Sequence, residues 1–296
     1  MLKRQRILLQ LLADSGGTLN RTRLFKLAFL LSRLGKANCL ENFYEFLPYL
    51  YGPYSFTLNH ELDNLACSGM VNFNDDGKIT LSAKGGEAAN SLNEPGLSYD
   101  RKLIRNGYGK LGQQSLIQTV YKQYPWFTVK SSKALAKNAT QINCRCTNYT
   151  IGYQAYQVDG LLNFLLKQGI RQLIDTRRNP VSRRYGFHRG TLVKLCQKVG
   201  ITYVHIPELG IPSSWRQDLT SEESFKTLFK RYDSEILDKH TCLLTELAKQ
   251  IAKEPSALMC QERDHTHCHR SRLADRLSRL NGLPVLELND LYDRTI

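Results

Sequence analysis

From residue 149 onward, short apolar runs alternate with longer amphipathic stretches, and this alternation constrains the fold more than any other feature. The apolar runs have the length and composition of buried strands and cover residues 149–153, 173–175, 201–206, 257–260 and 285–288. The stretches between them predict helices over residues 158–168, 191–199, 222–253 and 270–280. Alternation at this spacing predicts an α/β fold, with a Rossmann-like, mostly parallel sheet and helices on both faces.

The first 90 residues have a different pattern. Apolar spacing and turn chemistry predict three helices and then a β-hairpin, over residues 3–13, 22–34, 55–69 and 70–81. These are the parts of a winged helix-turn-helix domain, a fold that docks on DNA and also serves in protein contacts. The segment Tyr51-Gly52-Pro53 resembles the "YGP" signature of small winged-helix domains in toxin–antitoxin and phage-related proteins.

The charge of the chain favours a polyanionic partner. The 296 residues include 41 Lys and Arg against 27 Asp and Glu, which gives a net charge of +14. Residues 91–150 hold half of this excess, with nine basic and two acidic side chains. Basic residues interleaved with aromatic ones, as around Lys130 and Lys133, suit nucleic acid, and we expect DNA as the partner.

Length and composition set the domain organisation. The glycine-rich start of the basic segment, residues 93–112, predicts a linker or exposed loop. We therefore expect a winged helix over 1–90, a basic linker and helical segment over 91–147, and an α/β domain over 148–296. No run of 18 apolar residues occurs, so we expect no membrane span, and eight cysteines fit reduced thiols in a cytoplasmic chain.

Polar side chains follow four of the predicted strands. The carboxyl ends of parallel strands meet at one edge of a sheet, so these side chains should converge there. Five of them are candidates for catalysis: Asp175, Glu208, Cys260, Glu262 and Cys268. Others are candidates for contact with nucleic acid, together with Lys130 and Lys133: Tyr153, Arg177, Arg178, Arg183, Arg184, Tyr185, Trp215, His269 and Arg270.

Four sequence blocks in this half of the chain occur in a familiar order. They are residues 149–153 (YTIGY), 175–183 (DTRRNPVSR), 207–210 (PELG), and Cys260-Gln261-Glu262 with Cys268-His269-Arg270. Over roughly residues 148–290 they resemble the domain-of-unknown-function 488 (DUF488) family. The resemblance implies a Rossmann-like domain with a nucleic-acid-related role, but the family name supplies no reaction.

Several chemistries remain open at this edge. A metal-dependent nuclease would use Asp175, Glu208 and Glu262 as ligands for Mg²⁺, although the neighbouring arginines oppose a divalent cation. A zinc site would use Cys260, Cys268 and the histidines at 265, 267 and 269, although the Cys-x7-Cys spacing is unusual for structural zinc. A thiol nucleophile would be Cys260, or Cys268 at the start of a helix, where the dipole lowers a thiol pKa.

Hydrolysis of a base–sugar bond without metal or cofactor is our leading hypothesis, since it uses most of the candidates. Asp175 or Glu262 would activate water or stabilise an oxocarbenium-like sugar. The arginines would bind phosphates, and Tyr153, Tyr185 and Trp215 would line a pocket for an extruded base.

The expected substrate is modified or foreign DNA, as in genome defence. Two other hypotheses stay open: the metal-dependent nuclease, and a non-enzymatic winged-helix regulator whose α/β domain senses a nucleotide. Asp175 also has a purely structural interpretation, an ion pair with Arg177 or Arg183 at the root of a loop.

Overall fold

The computed structural model describes residues 1–132, 144–216, 219 and 221–289. The chain divides into two units, Met1–Thr140 and Gln141–Ile296. Within the described ranges, every helix is too short or too polar to cross a lipid bilayer.

The first unit combines helices with two small antiparallel sheets. Its helices are α1 (Lys3–Asp14), α2 (Arg21–Leu34), α3 (Phe56–Cys67), α4 (Ala83–Asn90), α5 (Leu97–Gly107) and α6 (Gln113–Gln123). Its strands are β1 (Thr18–Asn20), β2 (Leu47–Tyr49), β3 (Gly52–Tyr54), β4 (Val71–Phe73) and β5 (Lys78–Leu81). The order β1-β5-β4 forms one sheet, and β2 and β3 form a separate hairpin.

The three helices and the hairpin predicted in the first 81 residues are confirmed as α1, α2, α3 and β4–β5. Local chemistry fixes two of the helix starts. The side chain of Asn20 accepts a hydrogen bond from the backbone of Arg23 at the start of α2, and Ser55 does the same for Leu58 in α3. Such N-caps satisfy backbone N–H groups that have no partner inside the helix.

The prediction of a linker or exposed loop over residues 93–112 is wrong for most of the segment, because residues 97–107 form α5. Leu97 and Ile104 lie two turns apart on α5 and are buried in the core of the first unit. Arg101 donates two hydrogen bonds of 2.6 Å to Asp14 at the end of α1. The glycines of this segment favoured a loop over the helix that this apolar pair forms. One of them, Gly96, precedes the helix in a left-handed conformation with φ of 78°.

The YGP segment covers a buried lysine. Lys26 of α2 is only 2% exposed, and its ammonium donates hydrogen bonds to the carbonyls of Tyr51 (2.5 Å) and Pro53 (3.4 Å). Gly52 has a φ of 89°, and a Cβ there would lie 2.7 Å from the ring of Tyr121 and 3.0 Å from the Lys26 ammonium. The hairpin therefore needs a glycine both for its backbone conformation and for the close approach.

The second unit is an α/β domain. Its strands are β6 (Asn148–Gly152), β7 (Gln172–Asp175), β8 (Thr202–His205), β9 (Ser256–Cys260) and β10 (Val285–Glu287). Its helices are α7 (Val158–Lys167), α8 (Arg189–Lys198), α9 (Glu222–Tyr232), α10 (Thr241–Lys253) and α11 (His269–Asn281). All strand pairs are parallel, in the order β10-β6-β9-β7-β8, which confirms the predicted Rossmann-like parallel sheet.

Each face of the central strands packs against a different set of helices. Ile174 and Leu258 pack into one core with buried residues of α9, α10 and α11. Their neighbours Leu173 and Ala257 are also fully buried and point to the opposite face, because side chains alternate along a strand. The right-handed rule for parallel crossovers assigns α7 and α8 to that opposite face, since β6, β7 and β8 follow one another in one direction across the sheet.

The long helix predicted over residues 222–253 is broken. Tyr232 ends α9, and a wide π-helical turn, Asp233–Leu237, and a 3₁₀ turn, Asp238–His240, precede α10. Ile236 and Leu237 of the π-helical turn are buried in the same core as the helices around them. The apolar pattern therefore continues through the break, and the sequence showed no interruption.

Replacing the buried lysine tests its role in the fold. Lys26→Met keeps the apolar stem but removes the donor to the carbonyls of Tyr51 and Pro53. We expect the free energy of unfolding, measured by urea denaturation, to fall by about 1–3 kcal/mol. Lys36→Met, at an exposed position, is the matched control and should change it by less than about 0.5 kcal/mol. Equal effects of the two changes would contradict a role for Lys26 in holding the hairpin.

Candidate functional site

The carboxyl ends of β6, β7 and β9 lie side by side, and hydrogen bonds connect the loops that follow them. The backbone of Thr176 donates to Met259 (3.1 Å), and that of Gln154 donates to Gln261 (2.9 Å). The backbone N–H of Arg263 also donates to the Gln154 side chain (3.4 Å). The convergence predicted for this edge of the sheet is therefore present in the structure.

The structure places Asp175 in a buried ion pair. Its carboxylate accepts hydrogen bonds from Arg177 Nε (2.8 Å) and Nη2 (2.6 Å) and from the Tyr203 hydroxyl (2.6 Å). Asp175 is 0% exposed, so neither carboxylate oxygen is open to substrate or water. This geometry favours the structural interpretation of Asp175 and gives it no access to a reacting molecule.

Arg177 and Tyr203, which bind Asp175, are themselves held in place within the domain. Arg177 also donates to the Tyr153 hydroxyl (3.2 Å) and to the carbonyl of Phe187 (2.9 Å). Although burial alone lowers it, the pKa of the Arg177 guanidinium is raised by its hydrogen bond and charge interaction with Asp175. Burial and the same carboxylate raise the pKa of Tyr203. Arg177 is thus engaged within the domain and is not free to bind phosphate.

Two thiols and an imidazole cluster where β9 leads into α11. Cys260 ends the strand, Cys268 is the residue before the helix, and His269 begins it. The Nδ1 atom of His269 lies 3.7 Å from the sulfur of Cys260 and 3.9 Å from that of Cys268. All three residues are 1% exposed. They were separate candidates in the sequence, and the structure brings them together.

A backbone carbonyl fixes the tautomer of His269. Its Nε2 atom lies 3.1 Å from the carbonyl oxygen of Thr176, which can only accept a hydrogen bond. Nε2 therefore carries the proton, and the Nδ1 lone pair faces the two sulfurs. The side-chain hydrogen bond from Cys268 lowers the pKa of Cys260 well below its usual value, in opposition to burial. Burial and the same interaction raise the pKa of Cys268.

Glu262 completes this cluster. Its Oε2 atom lies 3.0 Å from the sulfur of Cys260 and 3.2 Å from that of Cys268, and its Oε1 accepts a hydrogen bond of 2.8 Å from Arg216. The side chain is 28% exposed, so among the four clustered groups it is the one that reaches solvent. Sequence reasoning missed Arg216, because its position 46 residues before Glu262 gave no signal of a contact.

Arg270 holds the loop that carries Glu262. It is fully buried and donates to the backbone carbonyls of Glu262 and Arg263, the latter at 2.9 Å, and to the Glu287 carboxylate at 3.1 Å. The loop also lies directly against Gly152, where a Cβ would be 1.8 Å from the Glu262 carbonyl oxygen. A larger residue at position 152 would therefore clash with the loop. Arg270 thus acts on loop geometry, and a phosphate would have to displace three existing bonds to reach it.

Three further basic candidates lie on the loop between β7 and α8. Arg178, Arg183 and Arg184 are exposed there, although Arg178 also donates to the Pro207 carbonyl (3.1 Å) and Arg184 to those of Gln154 (2.9 Å) and Tyr156. Glu208 is exposed in the turn after β8, and nothing described connects its carboxylate to the thiol cluster. Lys130 is half-buried in the first unit, where burial lowers its pKa, and Lys133 lies outside the described residues.

The three aromatic candidates are not equivalent. Tyr153 is 3% exposed and stacks on Phe187 with ring centres 4.3 Å apart, so its ring has no face open to a base. Tyr185 is half-buried. Trp215 is half-buried as well and has the guanidinium of Arg231 3.9 Å from its ring centre. Trp215 lines a cavity of about 440 Å³ beside α9. It immediately precedes Arg216, the hydrogen-bond partner of Glu262.

Residues 157–277 match the family model described as "Domain of unknown function DUF488". These residues form a DUF488 domain. The match includes the ends of β7 and β9 and the whole thiol cluster, and it confirms the resemblance drawn from the sequence blocks. No curated protein and no solved structure matched the chain.

The ion pair of the DUF488 domain can be tested through stability. Asp175→Asn would leave the Arg177 guanidinium buried without its counter-charge, so we expect the free energy of unfolding to fall by about 3–5 kcal/mol. Asp238→Asn removes an exposed ion pair with Arg276 and is the control, with an expected change below about 1 kcal/mol. Chemical denaturation measures both. Unchanged stability of the Asp175 variant would argue against the structural role.

Proposed function

We propose that this chain binds DNA and hydrolyses a base–sugar bond at the carboxyl edge of the DUF488 sheet, where Glu262 activates the attacking water. The observation that carries the proposal is the setting of Glu262, a partly exposed carboxylate held by Arg216 at the strand ends. Ligands of open α/β sheets bind at this edge. Asp175, the other carboxylate considered for the role, is enclosed by its own hydrogen bonds.

The charge of the edge supports a polyanionic substrate. Residues 176–189 contain five arginines and no Asp or Glu. Of these, Arg178, Arg183, Arg184 and Arg189 are exposed, and the loop that bears them is joined to the thiol cluster through the Thr176 carbonyl. Exposed arginines at this density favour phosphate oxygens, because they release counter-ions and donate paired hydrogen bonds.

The number of available carboxylates supports the choice of bond. A magnesium nuclease usually assembles several carboxylates around one or two ions. Here Glu262 stands alone in the cluster, since Asp175 is bound to Arg177 and Glu208 lies in an exposed turn. Hydrolysis of an N-glycosidic bond needs one carboxylate to activate water or stabilise an oxocarbenium-like sugar.

The second candidate is phosphodiester hydrolysis at a thiolate-bound metal, which the Cys260–Cys268–His269 cluster favours.

The first unit supports a role in docking. Its helices α1, α2 and α3, with the sheet order β1-β5-β4, are the arrangement expected of a winged helix. However, α3 contains no lysine or arginine, and the β4–β5 turn carries Asp75 and Asp76. Exposed cations occur instead on α5, at Lys102 and Arg105. We therefore propose that this unit meets DNA through α5 rather than through α3.

DNA binding can be measured by fluorescence anisotropy of the full chain with a labelled duplex over a range of salt concentrations. The double variant Arg178→Ala/Arg183→Ala should bind more weakly, and its plot of log K against log salt should be shallower by about two, because two phosphate contacts are lost. Lys249→Ala/Arg279→Ala removes two exposed cations away from this loop and serves as the control. Equal losses in the two double variants would show that the edge is not the contact surface.

Turnover can be measured by incubating the chain with plain and modified duplexes and assaying released base and alkali-labile sites. Glu262→Gln should lower the rate by about 10²–10⁴-fold, since removal of a general base has an effect of this size. Glu208→Gln, an exposed carboxylate outside the cluster, should leave the rate unchanged. Binding without released base, together with strand nicking, would replace this proposal by nuclease action. Binding with no turnover at all would favour the regulator.

A further inference from the structure

Four metal-ligating groups surround one point in the DUF488 domain. The sulfurs of Cys260 and Cys268 and a nitrogen of His269 all lie within 4.8 Å of one another. The Oε2 atom of Glu262 lies 3.0 and 3.2 Å from the two sulfurs. Two sulfurs and one imidazole nitrogen are the protein ligands of one known kind of catalytic zinc site, and carboxylate oxygens also bind zinc.

The separations suit tetrahedral coordination. With Zn–S bonds of about 2.3 Å and Zn–N bonds of about 2.0 Å, a tetrahedral ion holds sulfur and nitrogen about 3.5 Å apart. The Nδ1 atom of His269 lies 3.7 Å from the sulfur of Cys260 and 3.9 Å from that of Cys268. Both nitrogen–sulfur separations are thus within about 0.4 Å of the distance expected around one ion.

The surroundings of the imidazole match those of a metal ligand. Histidines that bind metals usually donate their second N–H to a carbonyl or carboxylate, which fixes the ring and its tautomer. His269 donates Nε2–H to the Thr176 carbonyl and is packed edge-to-face against Tyr232, with ring centres 5.4 Å apart. The ring is therefore held with its free lone pair toward the sulfurs.

The charges of the site balance with a divalent cation. Cysteines bind a metal ion as thiolates, so binding at Cys260 and Cys268 releases their protons to solvent. Two thiolates and one carboxylate then carry three negative charges, which a divalent ion and Arg216 neutralise.

We propose that Cys260, Cys268 and His269 bind one Zn²⁺ and that Glu262 is a displaceable fourth ligand. Two thiolates and an imidazole favour zinc over Mg²⁺ or Ca²⁺, which prefer oxygen. Three of the ligands are buried, whereas Glu262 is 28% exposed and also tied to Arg216. This is the pattern of a catalytic zinc with three fixed ligands and one position that water can take.

Zinc binding goes beyond the proposed function and can be measured without DNA. The full chain is purified under reducing conditions, dialysed, and analysed for zinc by inductively coupled plasma mass spectrometry. We expect about one zinc per chain in the wild type and at least a tenfold lower content in Cys268→Ser and His269→Ala. The control is His265→Ala/His267→Ala, which removes two exposed loop histidines and should retain the ion.

Cobalt titration of the wild-type apoprotein covers the case in which a variant fails to fold. Thiolate ligation should give intense near-ultraviolet charge-transfer absorption that saturates at one cobalt per chain and reverses with added zinc. Arg216→Gln should weaken zinc affinity about tenfold in a chelator competition, because it removes the partner of a ligand.

Absence of both stoichiometric zinc and the cobalt band would overturn the proposal. So would a Cys260–Cys268 disulfide found by thiol titration of a chain purified anaerobically without reductant. Failure of base release would leave the zinc content unaffected, so the two proposals fail separately.

Discussion

The ion pair between Asp175 and Arg177 places two charges where the protein excludes water, and the loops around it are arranged to satisfy them. Arg177 reaches Tyr153 after β6 and the Phe187 carbonyl before α8, while Tyr203 of β8 binds the same carboxylate. Three strands are thereby tied together at their carboxyl ends. Because removing either charge leaves the other buried and unpaired, this arrangement fixes the backbone from which the candidate site is built.

The arginines of this edge divide into two groups by their access to solvent. Arg177 and Arg270 are buried and donate hydrogen bonds to carboxylates and backbone carbonyls, so they set the shape of the loops. Arg178, Arg183 and Arg189 are exposed on the loop after β7. Arginines that look alike in the sequence thus differ in the structure, because some are held inside the domain and others face solvent.

The sequence was enough to predict the strands of the parallel sheet, the β4–β5 hairpin, most helices and the convergence of polar residues, because these follow from apolar periodicity and strand direction. It could not separate Asp175 from Glu262, since the hydrogen bonds of each come from residues distant in the chain. It misjudged α5, where Leu97 and Ile104 are the buried apolar residues in a segment that also holds charged residues and glycine. The seven residues between Cys260 and Cys268 hid their proximity in the sequence, because the loop between the cysteines folds back and brings Glu262 to both sulfurs.

The loop that carries Glu262 is held partly by the last strand of the sheet. Glu287 of β10 binds both Arg270 and the Thr150 hydroxyl (2.6 Å), and Asn289 pairs with the N–H and carbonyl of Gly152. During synthesis, β6, β7 and β9 leave the ribosome before these residues do, so the helices and central strands can assemble while the edge is still incomplete. The nascent protein therefore gains its finished site only after residue 289 has emerged, and a chain stalled earlier would display the fold without it.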